Sequence, residues 1–298
     1  MRIVDFFFAL RPLVLVPAWS FFLLGLGAAR QGAPEAPFPV ARLGCFTLVM
    51  AAAHLVNQVV DRESDLLNGK AFFLQRGIFA PRHYVLAAAL LLGAGIGGAV
   101  WLHAAPAWIA AAAGLGLAYS VPPLRLAARP GADVAANAAG YGGIAVALGA
   151  GGMSAAWGPR LPWLVASSAL AVATVFLHTT LLDLDGDRCT GKRTAGVAWG
   201  ASAARRLAAG FALAALLGAL LSRWWLPVAA AAALAALAVG GAVLPARVPS
   251  RRLCVGASAL YAGAAGAAWM PFLPALVVLA LLTRAYYRRR FQLVYPAL

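Results

Sequence analysis

Two short acidic stretches carry the clearest chemical pattern in the chain: Asp61-Arg-Glu63-Ser-Asp65-Leu-Leu-Asn-Gly69-Lys70 and Asp183-Leu-Asp185-Gly-Asp187-Arg-Cys-Thr-Gly191-Lys192. Both read D-x3-D-x3-G-K, and together they hold six of the nine Asp and Glu residues. Carboxylates at i and i+4 lie one turn apart on one helix face. Asn57 extends the first set by a further turn, giving Asn57, Asp61 and Asp65; Asp183 and Asp187 form the second. Like charges at that spacing repel, and a bound cation relieves the repulsion. An oxygen-only donor set without His or Cys suits a hard ion. Mg2+ fits best, because it takes one or two carboxylates together with phosphate oxygens and waters. Lys70, Arg76, Lys192 and Arg193 follow closely and offer donors for phosphate, so the pattern is that of a metal plus a polyanion. For either stretch alone, a solvated acidic turn paired with local Arg would be the plainer reading; two matching copies argue against it. Glu63 and Asp185 lie off the i,i+4 faces.

The elements that must position these residues are membrane helices. The chain is 63% hydrophobic and 11% charged, with a mean hydropathy of +0.83, where a soluble domain carries about 25% charged residues. Ten apolar segments are expected, at about 12–29, 40–60, 84–102, 105–121, 133–157, 161–182, 203–221, 224–245, 253–269 and 271–287. The last two are split by Met270-Pro271 and could form one broken helix. Long Ala, Leu, Val and Gly runs without period-2 alternation favour helices over a β-barrel. The expected architecture is an all-α, polytopic bundle of nine to ten transmembrane helices, a single domain over 1–298. The N-terminal stretch reads as an uncleaved interfacial helix rather than a signal peptide. Cys45, Cys189 and Cys254 are too scattered for a disulfide framework or a zinc site.

Charge placement sets the orientation. With the N-terminus in the cytosol, only Arg30, Arg42, Arg160 and Arg223 of the 24 Lys and Arg residues fall outside, and Arg2 joins the inside set. Seven of the nine tryptophans, Trp101, Trp108, Trp157, Trp163, Trp224, Trp225 and Trp269, fall at outer ends, where indole prefers the interface. The substantial loops, 61–83 and 183–202, then face the cytosol. The net charge of +15 is spread over short loops without a basic domain, which excludes a nucleic-acid partner.

Polar residues inside apolar runs usually face a bundle interior or a cavity. His54 lies one turn before Asn57. Asp133, Asn137 and Tyr141 are spaced i,i+4, and Thr179 shares a face with Asp183. For His54 and Thr179 interhelical packing is the simpler role; Asn137 and Tyr141 are equally suited to lining a substrate pocket.

At this point the residues resemble a known family. Asn57-x3-Asp61-x3-Asp65 and Asp183-x3-Asp187, the latter continued as Arg188-x-x-Gly191-Lys192-Arg193-Thr194, are similar to the two signatures of the UbiA superfamily of intramembrane prenyltransferases. Tyr119-Ser120-x-Pro122-Pro123-x-Arg125 resembles its loop after the fourth span, and Arg11-Pro12 its approach to the first. The resemblance implies a helical bundle around a central cavity open sideways to membrane lipid. It implies an isoprenyl diphosphate donor bound through Mg2+, with Asn57, Asp61 and Asp65 on one ion and Asp183 and Asp187 on the other. Arg62, Lys70, Arg125 and Lys192 would touch the diphosphate. Loss of diphosphate would leave an allylic cation for an aromatic or lipid acceptor, in quinone or related isoprenoid-lipid biosynthesis, in a bacterial inner membrane with the active-site loops in the cytosol. Two other readings stand beside it: an ion-coupled transporter and a non-catalytic isoprenoid-binding member. Carboxylates at cytosolic helix ends suit a transporter poorly, since coupling sites usually lie near the midplane.

Overall fold

The computed structural model describes residues 3–32, 34–35, 37–70, 73–152, 158–293 and 295. Arg2, Trp157 and the end of the 133–157 segment lie outside them. Among the described residues the structure is all helical. A short α1 (Ile3–Ala9) and a 3-10 turn (Pro12–Leu15) lead into α2 (Val16–Arg30). Then come α3 (Val40–Val60), α4 (Arg62–Leu67), α5 (Pro81–Trp101) and α6 (Pro106–Ser120). α7 (Ala132–Asn137), a π-helix (Ala138–Ile144) and α8 (Ala145–Gly149) run on without a break. After them follow α9 (Leu161–Leu182), α10 (Leu184–Cys189), α11 (Ala195–Ser222), α12 (Trp225–Val243), α13 (Ser250–Ala268) and α14 (Phe272–Phe291).

Six of these stretches are long and apolar enough to cross a membrane: 3–30, 40–60, 81–101, 161–182, 195–222 and 225–243. Every expected apolar segment is helical in its described part. Proline opens α5, α6 and α9 within their first two positions, where its missing N–H costs nothing. Pro271 separates α13 from α14 rather than kinking one helix. α11 starts eight residues earlier than the expected 203 and is interrupted at Gly200, whose φ of 77° is open to glycine.

Helices this rich in alanine pack through small residues and sparse polar contacts rather than large side chains. Ala204, Ala208, Ala212, Ala215 and Ala219 form a buried stripe on α11 that faces α9. Ser167 Oγ donates across it to the Ala215 carbonyl (2.7 Å), and Thr174 Oγ1 to that of Ala208 (3.3 Å). Each such contact contributes roughly 0.6 kcal/mol. On the opposite faces, Leu213, Leu217 and Leu220 of α11 and Val277, Val278, Leu281 and Leu282 of α14 are exposed, as lipid-facing residues would be.

The two chain ends meet. Asp5 accepts from Tyr286 Oη (2.5 Å) and Arg290 Nε (3.3 Å), and Phe8 stacks on Tyr286 with ring centroids 4.0 Å apart. α1 and the end of α14 therefore lie on the same side of the molecule.

Candidate active site

Both acidic stretches fold in the same way. α3 ends at Val60, and Asp61 takes φ −92°, ψ 17° before α4 begins; α9 ends at Leu182, and Asp183 takes φ −102°, ψ 5° before α10 begins. The i to i−4 hydrogen bonds continue through each bend: Asp61 N to Asn57 O, Asp65 N to Asp61 O, Asp183 N to Thr179 O and Asp187 N to Asp183 O. The carboxylates thus keep their one-turn spacing, but on a bent element rather than the straight helix face expected from spacing alone. Each short helix is then closed by the glycine of the repeat, Gly69 (φ 67°) or Gly191 (φ 71°). The following lysine N–H reaches back to the second aspartate's carbonyl: Lys70 N to Asp65 O and Lys192 N to Asp187 O, both 2.8 Å. This is the glycine-capped helix end that left-handed φ makes possible, built twice.

The lysine side chains cross over. Lys70 Nζ pairs with Asp183, and Lys192 Nζ lies 2.7 Å from Asp61 Oδ2 and 3.8 Å from Asp187. Each repeat thus supplies the counter-ion for the first aspartate of the other. Asn68 fastens the two short helices together, accepting from Gly186 N (3.0 Å) and donating to the Asp183 carbonyl (3.3 Å). A Cβ on Gly186 would stand 2.5 Å from the Asn68 side chain, so that approach requires glycine.

The paired repeats close one end of a cavity of about 350 Å³. Asn57, Asp61, Asp65, Lys70, Tyr119, Asn137, Tyr141, Asp183, Asp187 and Lys192 all line it, and its walls include Phe21, Met50, Val172 and Phe176. Asn57 Nδ2 donates to Asp61 Oδ2 (2.9 Å), and Tyr119 meets Phe176 edge-on with centroids 6.4 Å apart. Arg125, in left-handed backbone at φ 37°, brings its guanidinium to 3.8 Å from Asp61. Arg125 stops short of the cavity lining, and three further expected phosphate contacts do not reach it: Arg62, Arg76 and Arg193, the last exposed just after Lys192. Arg62 is exposed on α4, and Arg76 is exposed with its guanidinium 4.8 Å from the centre of the Phe291 ring. Asp133 also leaves the face expected for it. Fully buried, it accepts from Gly131 N, Val134 N and Ala195 N (2.8, 2.8 and 2.7 Å) and so ties α7 to the start of α11. Asn137 reaches the cavity from α7, the helix that also carries Asp133, and Tyr141 reaches it from the π-helix that follows. Arg11 lines the cavity 3.9 Å from Asp65 and was missed as a site residue; the Arg-Pro pair before the first span was its one signal.

Electrostatics at the mouth is tightly balanced. Burial pushes the Asp187 carboxyl up to about 6, against the pull of Lys192. Burial likewise raises Asp65, opposed by Arg11 and Lys70. For Lys192, burial alone would lower the ammonium, but Asp61 and Asp187 outweigh it and hold it above its ordinary value. Among the described residues no three His, Cys, Asp or Glu groups converge on a metal position; Asn57 presents its N–H rather than its oxygen to Asp61, and Asp65 lies toward Arg11. The donor set still suits Mg2+, which binds few carboxylates and completes its shell with phosphate and water. Asp61 Oδ1 is buried and accepts no hydrogen bond, as an oxygen left for a cation would.

Solved structures share this fold. A UbiA homolog from Archaeoglobus fulgidus bound to GPP and Mg2+ superposes with a TM-score of 0.69 at 20% identity, covering 87% of this chain and 97% of that one. A digeranylgeranylglyceryl phosphate synthase gives 0.63 at 14% identity, covering 91% and 98%. A UbiA homolog from Aeropyrum pernix K1 in its apo form gives 0.61 at 15%, covering 84% and 95%. No curated protein matches the chain in sequence. The sequence model of the UbiA prenyltransferase family matches residues 18–252. With most of its length inside that match, the chain belongs to the UbiA prenyltransferase family.

Proposed function

We propose that the protein transfers a prenyl group from an isoprenyl diphosphate to an aromatic or lipid acceptor within the membrane, as in the making of quinones and related isoprenoid lipids. The observation that carries this reading is the reciprocal pairing of two acidic repeats across the mouth of an otherwise largely apolar cavity. The likeness in fold to an Archaeoglobus homologue bound to GPP and Mg2+ supports this choice of ligands. Asp61, Asp65, Asp183 and Asp187, with Asn57, would hold Mg2+, which neutralises the charge growing on the departing diphosphate. Lys70 and Lys192 would turn from the aspartates to phosphate oxygens, joined by Arg125. Phe21, Met50, Val172 and Phe176 would hold the prenyl chain and exclude water from the allylic cation.

The membrane reading goes with ten spans, formed by α2, α3, α5, α6, α7–α8, α9, α11, α12, α13 and α14. The junction of Asp5 with Tyr286 and Arg290 supports an even number, with both ends and both repeats in the cytosol of a bacterial cell. Cys189 is exposed beside the second repeat. An impermeant maleimide is expected to label it only after the cells are opened; labelling of intact cells overturns the orientation.

The test of function is Mg2+-dependent release of diphosphate from GPP by the protein in detergent. Asp61→Ala and Asp183→Ala are each expected to abolish it. Stabilisation by a metal ion alone, with no response to a diphosphate analogue, would instead establish an ion-coupled transporter.

A further inference from the structure

The cavity contains a second polar constellation that the donor site does not use. His54 projects from α3 seven residues before Asp61, about 10 Å farther along the helix at 1.5 Å per residue. Tyr141 faces it from the π-helix, with its Oη 2.5 Å from Nε2 of His54 and the two rings edge-to-face, centroids 6.1 Å apart. Both side chains line the cavity. Ser20 and Thr180 bond back to a carbonyl of their own helix, and the packing contacts of Ser167 and Thr174 with α11 end on backbone carbonyls, whereas Tyr141 and His54 meet side chain to side chain with both lining the cavity. The π-helix that presents Tyr141 is a form concentrated at functional sites.

Transfer to a hydroxyl group has a proton to dispose of. Donor R–O–diphosphate and acceptor HO–A give R–O–A, diphosphate and one proton. In the proposed donor site the aspartates are committed to metal, and the lysines are already protonated. Among the described residues lining the cavity, His54 is the single histidine, and so the one neutral nitrogen base.

We infer that Tyr141 and His54 are a proton relay for a hydroxyl-bearing acceptor, an inference that rests on the transferase reading above. The acceptor hydroxyl donates to Tyr141 Oη, whose own hydroxyl donates to Nε2 of His54. The allylic carbon–oxygen bond breaks, and its electron pair leaves with the diphosphate. An oxygen lone pair of the acceptor forms the new bond to the allylic carbon. The acceptor's proton passes to Tyr141 as Tyr141's proton passes to His54, which becomes imidazolium and later returns the proton to water with the departing diphosphate. Tyr141 is the catalytic residue here, and His54 acts through it. Without the relay the protonated adduct reverts, and the cation recombines with diphosphate.

The reversal gives a direct readout. The full chain in detergent is supplied with Mg2+ and GPP carrying 18O at the bridge position. The acceptor pool is an extract of the protein's own cells, split into lipid and aqueous phases. Prenylated product reports transfer, and migration of 18O out of the bridge reports cleavage and return. The native protein is expected to form product with one phase, which tells a lipid hydroxyl from a soluble one. Acetylating the hydroxyls of that phase is expected to stop product, and mild alkaline removal of the acetyl esters to restore it. Tyr141→Phe and His54→Gln are expected to lose product at least about 100-fold, the lower end for a general base, while 18O migration stays within threefold of native. Native product rates in both variants overturn the relay, as does loss of migration in step with product. Product from the acetylated phase, or migration without product from either phase, overturns the hydroxyl acceptor. A native protein that neither cleaves nor scrambles GPP fails the transferase reading itself, and the relay with it.

Discussion

Removing Lys192 is expected to have opposite effects on the two ligands of the donor site. Its ammonium sits 2.7 Å from Asp61 and 3.8 Å from Asp187, and the side chains involved are 11%, 6% and 4% exposed. A hydrogen bond to a charged group contributes about 1.5–3 kcal/mol, and here that contribution competes with any cation that needs Asp61. In Lys192→Met the competitor is gone, so Mg2+ alone is expected to bind roughly 10- to 150-fold more tightly, at about 1.4 kcal/mol per tenfold. The same variant loses a phosphate donor, so a non-hydrolysable prenyl diphosphate analogue is expected to bind more weakly with saturating Mg2+. The metal-free variant also leaves a buried carboxylate unpaired, a loss on the order of 3 kcal/mol or more, which added Mg2+ is expected to restore in part. Titration calorimetry in detergent measures both affinities, and thermal unfolding measures the restoration. Mg2+ affinity that is unchanged or lower in Lys192→Met would refute the idea that lysine and metal exchange at Asp61. Lys70→Met is expected to repeat the pattern through Asp183.

Other expectations are more local. Asp133→Ala deprives three buried backbone N–H groups of a charged acceptor and is expected to destabilise the protein by roughly 3 kcal/mol, seen as a lower Tm. Gly186→Ala drives a methyl group into Asn68 and is expected to cost about 1–3 kcal/mol, with Asn68→Ala recovering part of the loss in the double variant. Arg62→Ala is expected to leave analogue affinity within twofold, since its side chain is exposed and outside the cavity lining; a tenfold loss would place Arg62 on the diphosphate after all. Asp187 is held protonated up to about pH 6 in the metal-free protein. Because its folded value is raised, the folded state takes up a proton there that the unfolded chain has already lost, so metal-free stability is expected to rise as pH falls from 7 toward 5. Mg2+ binding with the analogue is expected to release that proton and to weaken over the same interval, which calorimetry in buffers of different ionisation heat detects.

The membrane helices were legible because they announce themselves by length and apolarity: 40–60 and 161–182 match the helix bounds, while the start of α11 was missed by eight residues because its first turns carry polar and small residues. The repeated D-x3-D-x3-G-K was equally legible as two similar polar segments. Its geometry was not. Spacing places Asp61 one turn from Asp65 but says nothing of the bend at Asp61. Nor could spacing show the crossed lysines, which join residues more than a hundred positions apart. The i,i+4 series Asp133, Asn137, Tyr141 misled at Asp133, because spacing does not show that its carboxylate turns to the backbone N–H groups of Gly131, Val134 and the distant Ala195. His54 reads as an interhelical packing residue, and it does contact another element; spacing could not show that its partner is Tyr141, 87 residues away, or that both line the cavity.

The crossed pairing also bears on how the protein is made. Lys192 is synthesised 131 residues after Asp61, an interval of roughly 7–26 s at 5–20 residues per second. Until then Asp61 lacks that partner, although Arg11 and Arg125 of the first half are already made, and α9, which forms one wall of the cavity, is completed only shortly before Lys192. The proposed donor site therefore cannot be complete until the second half of the chain has been inserted beside the first.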